Sequence, residues 1–146
     1  MTADRNAKEK AAESETGFSG KRLLLVEDNM VNMKIAEMIL THAGFAVETA
    51  ENGQFAVDMV SASEPGDYHA ILMDIQMPVM DGYEATRAIR ALKKRELAEI
   101  PIVALTANTF REDVEAAREA GMVAHLAKPV DVQELLSTLQ SVLALR

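Results

Sequence analysis

The feature that most constrains this chain is a set of short, continuous apolar runs, each followed by a segment whose apolar residues fall at helical spacing. The runs are Leu23-Leu24-Leu25-Val26, Phe45 to Val47, Ala70 to Met73, Ile102 to Leu105 and Met122 to Leu126, the last interrupted by His125. Runs this short, without polar alternation, read as strands buried on both faces. The helical spacing is clearest at the end, where Val132, Leu135, Leu136, Leu139, Val142 and Leu143 repeat at i, i+3, i+4, i+7, i+10 and i+11. Asp131 is placed to cap that helix and Glu134 to complete a capping box, while Gly44 and Gly121 stand where earlier helices should stop. Five strands alternating with five helices predict an α/β fold, a doubly wound open parallel sheet with helices on both faces, three layers in all. In such a sheet the functional crevice lies beyond the carboxyl ends of the strands.

The 146 residues suffice for one domain with one core, and with 49% apolar but only 4% aromatic residues that core must be built from Leu, Ile, Val, Met and Ala. The first twenty residues are poor in apolar surface and read as a flexible tail, with a short helix over Asn6 to Glu13 as the alternative; residues 21–146 form the domain. The formal net charge is −8. Four of the 23 acids and three of the 15 bases lie in the tail, so the domain itself carries −7, which argues against direct binding of nucleic acid or an anionic membrane. There is no cysteine, hence no disulfide or thiolate metal site, and nothing in MTADRNAKEK resembles a signal peptide. A cytoplasmic location is the expectation.

Four strand ends carry polar residues. The first ends in Glu27-Asp28, the third in Asp74, the fourth in Thr106 and the fifth in Lys128-Pro129. Each has an ordinary structural explanation when taken alone, as a helix cap, a loop cap, a strand-end hydroxyl or a surface lysine. If the middle strands lie side by side, however, three carboxylates, a hydroxyl and an ammonium meet at one edge of the sheet. Carboxylates held that close either raise one another's pKa or bind a cation, and an oxygen-rich site suits a small divalent ion such as magnesium (Mg2+).

The segments LLVEDN (Leu24 to Asn29), ILMDIQMPVMDG (Ile71 to Gly82), IVALTAN (Ile102 to Asn108) and Lys128-Pro129 resemble the signature blocks of response-regulator receiver domains of two-component signalling. The resemblance covers about residues 21 to 145, and in detail it is most similar to receivers of hybrid histidine kinases and phosphorelays. It implies a flavodoxin-like fold with strand order 2-1-3-4-5. It implies that Asp74 is the phosphoacceptor, that Asp28 and Asp74 bind magnesium directly, Glu27 through water and Gln76 by its backbone carbonyl, and that Thr106 and Lys128 contact the phosphoryl group. A cis bond before Pro129 would aim the lysine at the site. The implied partner is a histidine kinase or a histidine phosphotransfer protein.

The resemblance also implies a switch, in which Thr106 moves toward the phosphoryl group and an aromatic residue three positions before the lysine follows. Here that position is His125, smaller and titratable, and it reads equally as a half-exposed histidine on an edge strand. His42 and His69 have no metal-ligand partner at useful spacing. At the start of the first helix Met30 and Met33 are read as exposed and available to a docking phosphodonor helix, or equally as filling gaps against the sheet, with Ile35 and Ile39 facing the core. Ala107 is small enough to leave the phosphoryl group open to water, with Gln76 and Asn108 flanking the approach.

Other classes fit less well. An aspartyl-nucleophile phosphatase of the haloacid dehalogenase type wants a second aspartate two residues after the first, where Gln76 stands. A flavin module lacks its phosphate loop, and Ser19-Gly20-Lys21-Arg22 precedes a strand instead of following one as a nucleotide loop would. A histidine kinase proper is not expected of this chain, in which nothing resembles an ATP-binding domain or has room to be one. A non-phosphorylated protein-interaction module remains the second reading, and the expected context is either a stand-alone regulator or a receiver cut from a hybrid kinase.

Overall fold

The structure, a computed structural model, describes residues 18–107 and 111–144. Its elements are β1 (Arg22–Val26), α1 (Met30–His42), β2 (Ala46–Ala50), α2 (Gly53–Ala62), β3 (Ala70–Asp74), α3 (Gly82–Arg90), α4 (Arg95–Ala98), β4 (Ile102–Thr106), α5 (Arg111–Ala120), β5 (Ala124–Ala127) and α6 (Val132–Ala144). All pairings are parallel and the order is β2-β1-β3-β4-β5, the flavodoxin-like arrangement expected.

Side chains alternate across the sheet and divide the core in two. Leu24, Val26, Ile71, Met73, Ile102 and Ala104 face α2, α3, α4 and α5, where Ala56, Val60, Ala85, Ile89, Leu97 and Ala117 meet them. Leu23, Leu25, Leu72, Val103, Leu105 and Leu126 face α1 and α6, against Met33, Leu40, Leu135, Leu139 and Val142. Every residue of β3 and β4 is buried, which is why those strands read as unbroken apolar runs.

The helix boundaries follow local chemistry. Asn29 caps α1 by accepting from the Asn32 N–H at 2.9 Å, and Asp81 with Glu84 forms a full capping box on α3. Asp131 accepts from the Glu134 N–H at 3.0 Å, the cap expected for α6. Gly44 and Gly121 adopt φ of 113° and 110° just beyond α1 and α5, the left-handed turn that ends a helix.

Three expectations need correction. The second strand starts at Ala46 and runs to Ala50, so the apolar run Phe45 to Val47 marks only its beginning; it is an edge strand, and Val47, Glu48 and Thr49 are half-buried. An additional one-turn helix, α4, lies between α3 and β4, with Leu97 and Ala98 buried. It is held by Arg90, whose guanidinium donates to the carbonyls of Ala98 (2.7 Å), Ile100 (2.8 Å) and Gly121 (2.7 and 3.1 Å). Finally, the tail does not extend to residue 20. Phe18 is 2% exposed and stacks on Phe45 with centroids 4.4 Å apart, so the packed unit already includes it; residues 1–17, with the alternative helix over Asn6 to Glu13, lie outside the described residues. Among the described residues no helix is long and apolar enough to cross a membrane.

Candidate functional site

Register alone assembles the polar strand ends. Val26 pairs with Met73, so the next residues, Glu27 and Asp74, emerge side by side from β1 and β3. Asp74 pairs with Leu105 and Thr106 with Ala127, which sets Thr106 and then Lys128 at the same edge. Glu27, Asp74 and Thr106 are buried, while Asp28, in the turn before the Asn29 cap, is exposed. The Lys128 ammonium lies 2.9 Å from Glu27 Oε1 and 3.0 Å from Asp74 Oδ1, and the Asn29 N–H donates to Glu27 Oε2 at 3.3 Å. The Lys128–Pro129 peptide bond is cis, as the resemblance implied.

Two buried carboxylates thus share one ammonium. Burial, and then the hydrogen bond with Glu27, push the Asp74 carboxyl up to about 7, outweighing the opposing pull of Lys128. Burial also works against charge on Glu27, but hydrogen bonds from Asp74 and Lys128 and the lysine's charge prevail, and its pKa is lowered. Lys128 loses solvation, yet its two carboxylate partners more than compensate and its pKa is raised. Glu27, Asp28 and Asp74 each present a carboxylate oxygen, and these atoms lie within 4.8 Å of one another. An oxygen-only set with surplus negative charge is what a hard divalent cation satisfies. Beside it opens a cleft of about 540 Å³ lined by Gln76, Met77, Tyr83, Thr106 and Asp113 among others.

Glycine keeps the loop after β3 close to the strand. A Cβ at Gly82 would collide with the carbonyl oxygen of Asp74, and the Gly82 N–H donates to the Ile75 carbonyl at 2.8 Å. That close approach escaped the sequence reading, although Asp81-Gly82-Tyr83-Glu84 carries a capping-box pattern that could have located the helix start beside it.

A family model, the response regulator receiver domain, matches residues 23–140. The chain belongs to that family. It is similar to hybrid signal transduction histidine kinase B of Dictyostelium discoideum, 43% identical over an alignment of 137 residues that covers 88% of this chain but only 7% of that protein. Among solved structures, the receiver domain of sensor histidine kinase PA1611 from Pseudomonas aeruginosa PAO1, with magnesium coordinated in its active site cleft, is 42% identical with a TM-score of 0.77. That match covers 86% of this chain and 99% of the other. The Saccharomyces cerevisiae receiver domain of Ssk1, crystallised with the histidine phosphotransfer protein Ypd1, is 32% identical at TM-score 0.79 and covers 88% and 92%.

In this receiver domain Glu27, Asp28, Asp74, Thr106 and Lys128 come together at one edge, with Gln76 on the adjoining loop. The two methionines of α1 separate. Met30 is 54% exposed, but Met33 is 4% exposed and belongs to the core, while Ile35, expected inside, is 54% exposed. Met33 and Leu40 lie two turns apart on the sheet-facing side; Val31, Ile35 and Met38, at i, i+4 and i+7, form the outer stripe. His125 is exposed on β5, in a groove beside Val114, Ala117 and Arg118. Asn108 lies outside the described residues.

Proposed function

We propose that Asp74 is the phosphoacceptor of this receiver domain and takes its phosphoryl group from a phosphohistidine on a histidine kinase or histidine phosphotransfer protein. The arrangement that carries this reading is the pair of buried carboxylates, Glu27 and Asp74, drawn onto the single Lys128 ammonium at the carboxyl edge of the sheet. Ionised, Asp74 offers an oxygen nucleophile at the mouth of an open cleft. Its oxygen forms the new bond to phosphorus as the phosphorus–nitrogen bond to imidazole breaks, and the electron pair leaves with the histidine nitrogen.

Glu27, Asp28, Asp74 and the Gln76 backbone carbonyl would hold magnesium, as a cluster of three acids served by the single Lys128 ammonium favours. When bound, the ion supplies positive charge against the oxygens of the group in transfer. Lys128 supplies a second, on a stem short of solvent and fixed by its two ion pairs. Thr106, at the end of β4, offers a hydroxyl to the phosphoryl oxygens and moves toward them once phosphorylation has added charge at Asp74. His125, one strand over, passes that movement to the face formed by α5, β5 and α6; Met30 meets the donor protein. Hydrolysis of the acyl phosphate returns the domain to rest, and the domain acts in the cytoplasm, as a stand-alone regulator or within a hybrid kinase.

Incubation with 32P-labelled acetyl phosphate tests the reading. Label that requires magnesium, appears on the wild type and is lost in Asp74→Asn is expected. Wild type that takes no label, or equal labelling of Asp74→Asn, would leave the interaction-module reading in its place.

A further inference from the structure

Val79 is the single non-glycine residue with positive φ among the described residues, at 71°. For a β-branched side chain this backbone is a genuine outlier. The Met80 N–H donates to the Pro78 carbonyl at 2.8 Å, which makes Val79 the centre of a γ-turn of the rare, strained hand. Its surroundings hold it there. Met77 and Met80 pack on the core beneath α2 and α3, and the Met80 carbonyl fills space that a side chain at Gly53 would need. The hydrogen bond from Gly82 to Ile75 closes the base of the loop.

Folding explains the turn but not the valine. Glycine or asparagine adopts the same backbone at lower cost. Nor does packing favour the side chain, which is 81% exposed, the highest value among the large apolar residues described. Strain held without a packing reason tends to mark a functional contact. The location fits one: Val79 caps the loop that leaves β3 directly after Asp74, and Gln76, Met77 and Pro78 of that loop wall the cleft beside Thr106. Met30, half exposed, tops the end of the neighbouring strand β1. A small phosphodonor can enter the cleft beneath this rim, whereas a protein that brings a phosphohistidine to Asp74 must close over it.

We infer that Val79 is an apolar anchor for the phosphohistidine-bearing protein, its side chain buried against the donor's surface next to the reacting histidine. This rests on the proposed role of Asp74. It predicts that Val79 sets the preference for a protein donor over a small one. Full burial of a valine corresponds to a change of about tenfold or more in affinity.

The test compares two donors, acetyl phosphate and phosphorylated Ypd1, on wild type, Val79→Asn and Val79→Thr. Asparagine relaxes the backbone and removes the apolar contact; threonine keeps the β-branched strain and puts a hydroxyl in place of one of the two contacting methyl groups. The ratio of the Ypd1 rate to the acetyl phosphate rate should fall about tenfold in both variants, and the urea midpoint of Val79→Asn should be no lower than that of wild type. An unchanged ratio overturns the inference, and so does a wild type labelled by acetyl phosphate but not by Ypd1; both leave the proposed function intact. Wild type labelled by neither donor overturns the proposed function itself.

Discussion

Replacing Asp74 with asparagine changes the charge of the site with little change in its shape, so it isolates the electrostatics. Asp74 is 3% exposed, and burial with Glu27 alongside moves its carboxyl from 3.8 up to about 7. Between those values the folded chain keeps a proton that the unfolded chain has lost, so the stability contributed by this group is complete below pH 4 and disappears as pH rises through about 7. The neighbours act elsewhere on the pH scale. Glu27 is lowered, so its contribution is present above 4.5 and lost only as pH falls below that; Lys128 is raised, so its contribution persists past 10.5. At 1.36 kcal/mol per pH unit, the interval from 3.8 to about 7 sets a ceiling of about 4 kcal/mol on the cost of ionising Asp74 at pH 8. An amide must still satisfy its own hydrogen bonding in the pocket, at roughly 1–3 kcal/mol. Asp74→Asn should therefore stabilise the metal-free domain by about 1–3 kcal/mol at pH 8 and by close to nothing at pH 5. Urea unfolding in EDTA, followed by circular dichroism because the chain has no tryptophan, measures both. Millimolar magnesium should then stabilise wild type more than the variant. A variant no more stable than wild type at pH 8, or one whose gain is equal at the two pH values, would refute the reasoning.

Three further outcomes can be checked in the same way. Lys128→Met leaves Glu27 and Asp74 buried without their shared ammonium and should lower stability by about 3–5 kcal/mol at pH 8, less at pH 5 where Asp74 is protonated, with labelling from acetyl phosphate strongly slowed. Arg90→Met strips four charge-assisted hydrogen bonds from the carbonyls of Ala98, Ile100 and Gly121 and should lower the urea-derived stability by roughly 3 kcal/mol or more, far from the proposed phosphoacceptor Asp74. Met33→Ala should cost about 2–4 kcal/mol in the same assay and Ile35→Ala less than about 0.5 kcal/mol, since only the first empties core space.

The parts of the fold that could be read directly are those where burial acts on every residue of a segment. β1, β3 and β4 are central strands covered on both faces, so their sequences are continuous apolar runs. β2 is an edge strand with Glu48 and Thr49 in it, and the pattern faded after Val47. α4 is a single turn, too short for any periodicity, and depends on Arg90, a distant donor. On α1 the apolar residues Met30, Val31, Met33, Ile35, Met38, Ile39 and Leu40 run nearly all round the helix, so spacing could not say which side meets the sheet. That is why Met33 and Ile35 exchanged places between expectation and structure.

By itself the sequence determined the fold class and the kind of chemistry, because strand burial and the residues at strand ends are written locally: two acids after the first run, an aspartate after the third, a hydroxyl after the fourth and a lysine after the fifth. Only the tertiary structure decided how those residues meet. The pairing of Val26 with Met73 sets Glu27 against Asp74, and their common ammonium comes from Lys128, just past β5, about a hundred residues beyond Glu27 and about fifty beyond Asp74, so the raised pKa of Asp74 belongs to the assembly and not to any segment. The strained backbone of Val79 is likewise invisible in its residue type, since a valine acquires positive φ only when the packing on either side of it leaves no other path.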